Sequence, residues 1–320
     1  MNRWLPFAFA GLVAATVQAH DIQKLSMQRP EGARTYYLSN PAAAKPGKKP
    51  LIILLHGHTG SAKQLLGQGI GAAPLSHWLD IAERESLIVI APEGVKGDDN
   101  QQGWNDCRSD AVGNPHTDDV GLVTALIDEA VAKYDADPAR VFAMGMSNGA
   151  MMSFRLAADI PGKLAGFGAV SGSMAAKSRC QEPKTPISAL IISGTADPLV
   201  PYSGGNVGFK NQPSRGSVIG IEAAADFYRR LDKLPLKPAM KDSFAHHDDA
   251  DPTRAHRARW GADAKAPQVE LITIEGGGHV EPSESQRIAR FYARIVGPQN
   301  GDLEAAEEAW AFFKDKVRKP

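Results

Sequence analysis

The sequence predicts an α/β fold, a mostly parallel central sheet with helices on both faces. Three observations carry that expectation. Short apolar, β-branched runs recur along the chain with helix-like segments between them, the order that parallel pairing requires. One run, Arg140-Val141-Phe142-Ala143-Met144, passes through Gly145-Met146-Ser147-Asn148-Gly149 directly into the helical pattern Ala150-Met151-Met152-Ser153-Phe154-Arg155-Leu156. The candidate chemistry-bearing residues all fall just past such runs, at the strand carboxyl ends where open sheets of this class place their sites.

In chain order, strands are expected at 51–55, 87–91, 141–145, 166–171, 188–193 and 269–274, with an antiparallel edge near Arg34 to Ser39. Val123, Leu126, Ile127, Ala130, Val131 and Tyr134 repeat at spacings of three and four, which gives one helix a continuous apolar face. Two helices close the chain. Ile288, Phe291, Tyr292 and Ile295 make one stripe, Leu303, Ala306, Trp310 and Phe313 another, and both read as facing the core. With 320 residues and 43% hydrophobic content the chain can bury one sizeable core. Lys plus Arg equals Asp plus Glu at 36 each, so charge supplies no case for nucleic acid or an anionic membrane as partner. No internal repeat, heptad run or low-complexity tract suggests another function.

Ser147 is the candidate nucleophile. At the junction of a buried strand and a helix, side chains at Gly145 and Gly149 would crowd their neighbours while the serine hydroxyl projects above the sheet. Its partners should follow as an acid and then a histidine, each in a loop after a strand. Asp197 in Gly194-Thr195-Ala196-Asp197-Pro198 follows the 188–193 run, and His279 in Gly276-Gly277-Gly278-His279 follows the 269–274 run. The negative charge that develops on a carbonyl oxygen needs fixed N–H donors. The backbone of Asn148 should be one. His58 in His56-Gly57-His58-Thr59-Gly60 is the first choice for the other and Thr59 the next. A metal held by His56 and His58 is disfavoured, because no Asp, Glu or Cys stands beside them in sequence to complete a site. The chemistry read from these residues needs no cofactor and no metal.

Together Leu55-His56-Gly57, Asp118-Asp119-Val120-Gly121-Leu122, Asp137-Pro138-Ala139-Arg140-Val141, the Ser147 pentapeptide with Ala150-Met151-Met152, Gly194 to Tyr202 and Gly276 to His279 resemble the polyhydroxybutyrate depolymerase and feruloyl esterase family of α/β-hydrolases. The likeness runs from about Arg34 to His279. It implies an α/β-hydrolase fold, Ser147, Asp197 and His279 as a catalytic triad, and His58 with Asn148 as oxyanion donors. The expected reaction is ester hydrolysis on a small-molecule or oligomeric substrate. Two positions depart from the family pattern: Val280-Glu281-Pro282-Ser283 follows His279 where relatives often carry an aromatic residue, and many relatives have cysteine where His58 stands. A depolymerase acting on solid polyester is implied to carry an added surface-binding domain. None is read here, so soluble hydroxyalkanoate oligomers or small acyl and hydroxycinnamoyl esters are the expected substrates. The rival functions are a peptidase on the same fold and a binding protein that has lost catalysis.

Arg3, the apolar stretch from Leu5 to Val17 and the small-residue site Val17-Gln18-Ala19 read as a secretory signal at residues 1–19, with His20 first after cleavage. The stretch is short for a membrane span, so no stable membrane anchor is expected. Residues 20–320 then form a single catalytic domain, periplasmic or secreted. In that oxidising setting Cys107 and Cys180 are a candidate disulfide; reduced, they would be two buried thiols. Trp104, in a loop expected at the mouth of the site, has two readings: a platform for an aromatic acyl group, or a packed structural tryptophan. Tyr202 leans toward structure, and His246-His247-Asp248-Asp249-Ala250-Asp251 reads as a solvated loop.

Overall fold

The computed structural model describes residues 20–42, 46–209 and 215–318, and the expected export signal at residues 1–19 lies outside them. The chain opens with an antiparallel hairpin, β1 (Gln23–Arg29) and β2 (Gly32–Ser39), whose turn uses Gly32 at φ 120°. β3 (Lys49–Leu55) leads through α1 (Ala62–Leu65) and α2 (Trp78–Glu85) to β4 (Ile88–Pro92). A small hairpin, β5 (Val95–Lys96) and β6 (Gln102–Gly103), precedes α3 (Asp119–Lys133). The Asp118 side chain caps that helix by accepting from the Gly121 N–H at 2.8 Å. β7 (Ala136–Met146), α4 (Asn148–Asp159), β8 (Gly166–Val170) and β9 (Ser188–Gly194) follow. A second hairpin of β10 (Gly204–Asn206) and β11 (Ser217–Ile219) leads to α5 (Ile221–Leu231). β12 (Met240–Ser243), β13 (Arg254–Trp260), β14 (Val269–Glu275), α6 (Arg290–Val296) and α7 (Ala305–Phe313) complete the described chain.

The main sheet has ten strands in the order β1-β2-β4-β3-β7-β8-β9-β14-β13-β12. Neighbours from β4 to β14 pair in parallel, and antiparallel strands flank them at both edges. Successive residues point to opposite faces, and both faces are covered. Leu51, Ile53, Leu55, Val141 and Ile191 pack with α3, α4 and α5. Ile52, Leu54, Phe142, Met144 and Ile192 pack with α2 and α7, where Phe313 stacks on Phe142 at 4.7 Å and Trp78 meets Trp310 edge-on at 6.4 Å. Each fully buried Leu, Ile or Val contributes about 1.5–3 kcal/mol of transfer free energy.

All six core strands form where expected, and the Arg34 edge is antiparallel. β7 begins earlier, at Ala136, since its polar first half pairs only at Lys49 before the main register starts at Leu51. β1, β12 and β13 escape sequence reading because they have few apolar residues: β1 and β12 are edge strands, and β13, paired on both sides, is rich in basic and small side chains over Arg254–Trp260. The Leu303–Phe313 stripe is core, as expected. The α6 stripe is not. Phe291 is 71% exposed, and Tyr292 and Ile295 are also open to solvent, because this side of the short helix borders an open cleft that Ile288, Tyr292 and Ile295 line. The 246–251 loop is only partly solvated: Asp251 is buried, where it accepts from Thr253 and from the Gly301 N–H, and His246 bonds Asp302. Among the described residues no helix is long and apolar enough to cross a membrane.

Candidate active site

β3 sends its first crossover to one side of the sheet, to β4, and the chain then returns past β3 to β7 on the other side. The adjoining carboxyl ends of β3 and β7 therefore form a switch point, where an open α/β sheet has room for a ligand. There the β3 loop carries His56 to Gly60 and the β7 turn carries Ser147. Ser147 has φ 56° and ψ −118°, a conformation that costs on the order of 1–3 kcal/mol and holds its side chain away from both flanking elements. The flanking glycines are sterically required. A Cβ on Gly145 would lie 2.3 Å from the Gly149 carbonyl carbon, and one on Gly149 would lie 2.1 Å from the Leu55 carbonyl oxygen.

The structure brings Ser147, Asp197 and His279 together in one chain of hydrogen bonds. His279 Nε2 lies 2.9 Å from Ser147 Oγ, and Nδ1 lies 2.7 Å from Asp197 Oδ2. A carboxylate only accepts, so Nδ1 carries the proton and Nε2 presents its lone pair to the serine hydroxyl. The second Asp197 oxygen accepts from the Leu199 and Val200 N–H groups at 2.8 Å each, which fixes the carboxylate. His279 is held from behind by its own N–H, which donates to the Val296 carbonyl at 2.6 Å. The two loops touch through backbone: a Cβ on Gly194 would sit 2.2 Å from the Gly277 oxygen.

Two backbone N–H groups beside Ser147, those of Asn148 and His58, have no acceptor among the described residues. Asn148 is the first residue of α4, so its N–H has no partner inside the helix. The helix dipole places partial positive charge there. In the β3 loop, Thr59 adopts φ 65° and its N–H donates to the Gln102 carbonyl at 2.9 Å. Thr59 is thereby removed as a donor toward the serine, while the His58 N–H meets no acceptor among the described residues. The His56 ring braces the loop. Its Nδ1–H donates to the Gly57 carbonyl at 2.7 Å, and Nε2 accepts from the Gly94 N–H at 2.9 Å. Burial pushes its pKa down to about 4, so the ring is neutral, and both nitrogens are committed, which leaves no lone pair for a metal. His58 is also pushed to about 4, by burial and then by the Arg215 guanidinium.

A buried polar cluster that sequence reading missed fixes the Asn148 side chain. Asn148 Oδ1 accepts from the Trp104 N–H at 2.7 Å, and Nδ2 donates to Asp106 Oδ2 at 2.7 Å. Asp106 also accepts from Arg108 and Asn114, and both Asp106 and Arg108 are almost wholly buried. Burial opposes ionisation of Asp106, but Arg108 and the other donors outweigh it and hold the carboxyl below its ordinary range. Cys107, between the two, is disulfide-bonded to Cys180 with the Cα atoms 5.3 Å apart. Neither sequence spacing nor periodicity signals this cluster, since its members come from a loop and a helix start that only the fold brings together.

The cleft above Ser147 has a volume of about 870 Å³. His58 and Thr59 line it, as does the segment after His279 through Glu281, Ile288, Tyr292 and Ile295. Trp104 does not. It is fully buried, lies tilted against the His56 ring at 5.0 Å and donates its indole N–H to the His56 carbonyl at 2.8 Å, so its role is structural and it offers no platform to an aromatic acyl group. Tyr202 is structural too, with its hydroxyl 2.9 Å from Thr273 Oγ1.

A family model described as esterase PHB depolymerase matches residues 34–202, more than half of the chain. The chain belongs to this esterase family. A putative esterase, NocK, of Nocardia uniformis subsp. tsuyamanensis is 28% identical over 98% of this chain and 87% of its own. Feruloyl esterase B of Neurospora crassa is 27% identical over 91% of this chain and 99% of its own. Poly(3-hydroxyalkanoate) depolymerase C of Paucimonas lemoignei is 26% identical over 74% of this chain and 56% of its own. Among solved structures, an acetyl xylan esterase from Aspergillus awamori superposes with a TM-score of 0.58 at 16% identity, covering 92% of this chain and 99% of that one. The esterase therefore has the α/β-hydrolase fold and is a carboxylic ester hydrolase.

Proposed function

We propose that this esterase works through an acyl-enzyme formed on Ser147. The observation that carries the reading is the Ser147–His279–Asp197 hydrogen-bond chain, at 2.9 and 2.7 Å, beneath an open cleft. Ser147 Oγ attacks the ester carbonyl carbon while its proton passes to His279 Nε2. Asp197 orients the ring and stabilises the imidazolium through Nδ1–H. The N–H groups of His58 and Asn148 bind the oxyanion of each tetrahedral intermediate. Collapse breaks the bond to the leaving oxygen, which takes the proton from His279 and departs as the alcohol. Water then attacks the acyl-enzyme with His279 as base, the acid leaves, and Ser147 regains its proton.

The apolar lining of the cleft supports soluble hydroxyalkanoate oligomers or small acyl and hydroxycinnamoyl esters as substrates, with Thr59 as a lining contact. The amino-terminal pattern supports export to the periplasm or the medium after removal of residues 1–19, and residues 20–320 act as one catalytic domain. Hydrolysis of 4-nitrophenyl butyrate by the purified esterase tests the mechanism. Ser147→Ala should lower kcat by about a millionfold, and His279→Ala by a similar factor, because the three residues act as a unit. A Ser147→Ala protein that keeps more than a tenth of wild-type turnover would sink the assignment. Amino-terminal sequencing of the exported protein should begin at His20.

A further inference from the structure

Arg215 lies in the cleft wall with Ser147, half-buried and without a carboxylate partner among the described residues. Arg34, Arg108 and Arg257 each have one: Arg34 meets Asp119 at 2.7 Å, Arg108 meets Asp106 at 2.6 Å and Arg257 meets Asp242 at 2.9 Å. Among the described residues the Arg215 guanidinium makes a single long hydrogen bond, Nη2 to Asn114 Oδ1 at 3.4 Å. Its backbone is fixed. The Arg215 N–H donates to the Val207 carbonyl at 3.0 Å, and its own carbonyl accepts from Arg108 Nη1. Asp99, an acid in the same cleft lining, is committed to His58 Nε2 at 3.1 Å and is 31% exposed, so water screens it. Burial and the Arg108 charge lower Arg215 to about 10 in spite of Asp99, so it stays cationic at neutral pH in a place short of negative charge.

Arg215, bonded to Asn114, lines the cleft together with His58 and Asp99, and Glu281, Tyr292 and Ile295 line it from the segment after His279. His279 must protonate the departing alcohol, so the alcohol lies beside His279 and the acyl group takes the rest of the cleft, which Arg215 lines. The lining also includes the apolar Leu65, Leu75, Val207 and Phe209.

Resting on the esterase reading above, we propose that Arg215 binds a free carboxylate at the far end of the acyl group. The substrate class is then monoesters of dicarboxylic acids, an aliphatic chain with the ester at Ser147 and the carboxylate at Arg215. A guanidinium with little water around it binds a carboxylate through charge-assisted hydrogen bonds. A neutral acyl end leaves it without a partner.

The test measures kcat/KM for mono(4-nitrophenyl) esters of the dicarboxylic acids from succinic to suberic, each against the analogue whose free carboxylate is a primary amide. The wild-type esterase should favour the carboxylate member by about tenfold or more at one or more chain lengths. Arg215→Gln should bring that ratio close to one, Arg215→Lys should keep part of it, and Arg215→Met provides a second neutral variant. A wild-type ratio near one at every length, with the amide esters still hydrolysed, overturns the proposal and leaves the esterase reading intact, and needs no variant to fold. A high ratio that survives both Arg215→Gln and Arg215→Met overturns it as well. Failure to hydrolyse either series, together with 4-nitrophenyl butyrate, would instead contradict the esterase reading.

Discussion

The Asn148 side chain, one residue past Ser147, donates to the buried Asp106 carboxylate at 2.7 Å. Through that bond the start of α4 is tied to the loop that carries Trp104 and Cys107. The backbone N–H of Asn148 therefore has a fixed position before any substrate arrives, which is what an oxyanion donor needs.

Asp106→Ala would leave Arg108 buried without its counter-charge and should cost about 3–5 kcal/mol of stability. Asp106→Asn keeps the shape and should fold, but its amide cannot accept from Arg108 and Asn148 as the carboxylate does. A displaced Asn148 N–H should lower kcat by up to about a hundredfold with little change in KM. Urea unfolding and steady-state kinetics on both variants check this, and an Asp106→Asn enzyme with wild-type kcat would show that the cluster does not position the donor.

The disulfide closes a separation of 73 residues and joins the Asp106 loop to the connection before β9. Loop-closure entropy gives it about 4 kcal/mol of stabilisation. Changing both cysteines to serine should lower the unfolding free energy by up to that amount and reduce kcat, since the tether lies beside Asp106. Paired measurements of thermal unfolding and turnover separate the two effects.

His56 makes stability depend on pH. Its ordinary value of 6.5 falls to about 4 in the folded state, so between these values the unfolded chain binds the proton more readily. The contribution is complete above 6.5 and is lost as pH falls through 4; at pH 5 the loss is already roughly 2 kcal/mol. His56 is almost wholly buried, so solvent screening removes little of this. Denaturant titrations at pH 7 and pH 5 should show the drop, and His56→Asn should flatten it. An equal drop in that variant would assign the effect to other groups.

The six core strands and the Ser147 elbow are legible in the sequence because buried parallel strands must be continuously apolar and a sharp strand–helix turn demands glycine at Gly145 and Gly149. Asp197 and His279 are legible by order and by the strands before them. The edge strands β1 and β12 and their neighbour β13 are not, since strands whose side chains stay partly open to water tolerate Arg, His and Lys. The α6 stripe misleads because Ile288, Phe291, Tyr292 and Ile295 have helical spacing whether they face a core or a cleft. Trp104 could be read either way, and only the His56 carbonyl under its indole N–H decides it. Asp106 and Arg215 gain their surroundings from segments far apart in the chain, and no local pattern marks them.

The most direct test of the central claim is covalent labelling of the purified esterase with a 4-nitrophenyl alkylphosphonate, followed by intact mass and peptide mapping. The account predicts one adduct per chain, on Ser147, formed with loss of activity and absent from Ser147→Ala. Rapid inactivation with the adduct elsewhere, or undiminished labelling of Ser147→Ala, would contradict it.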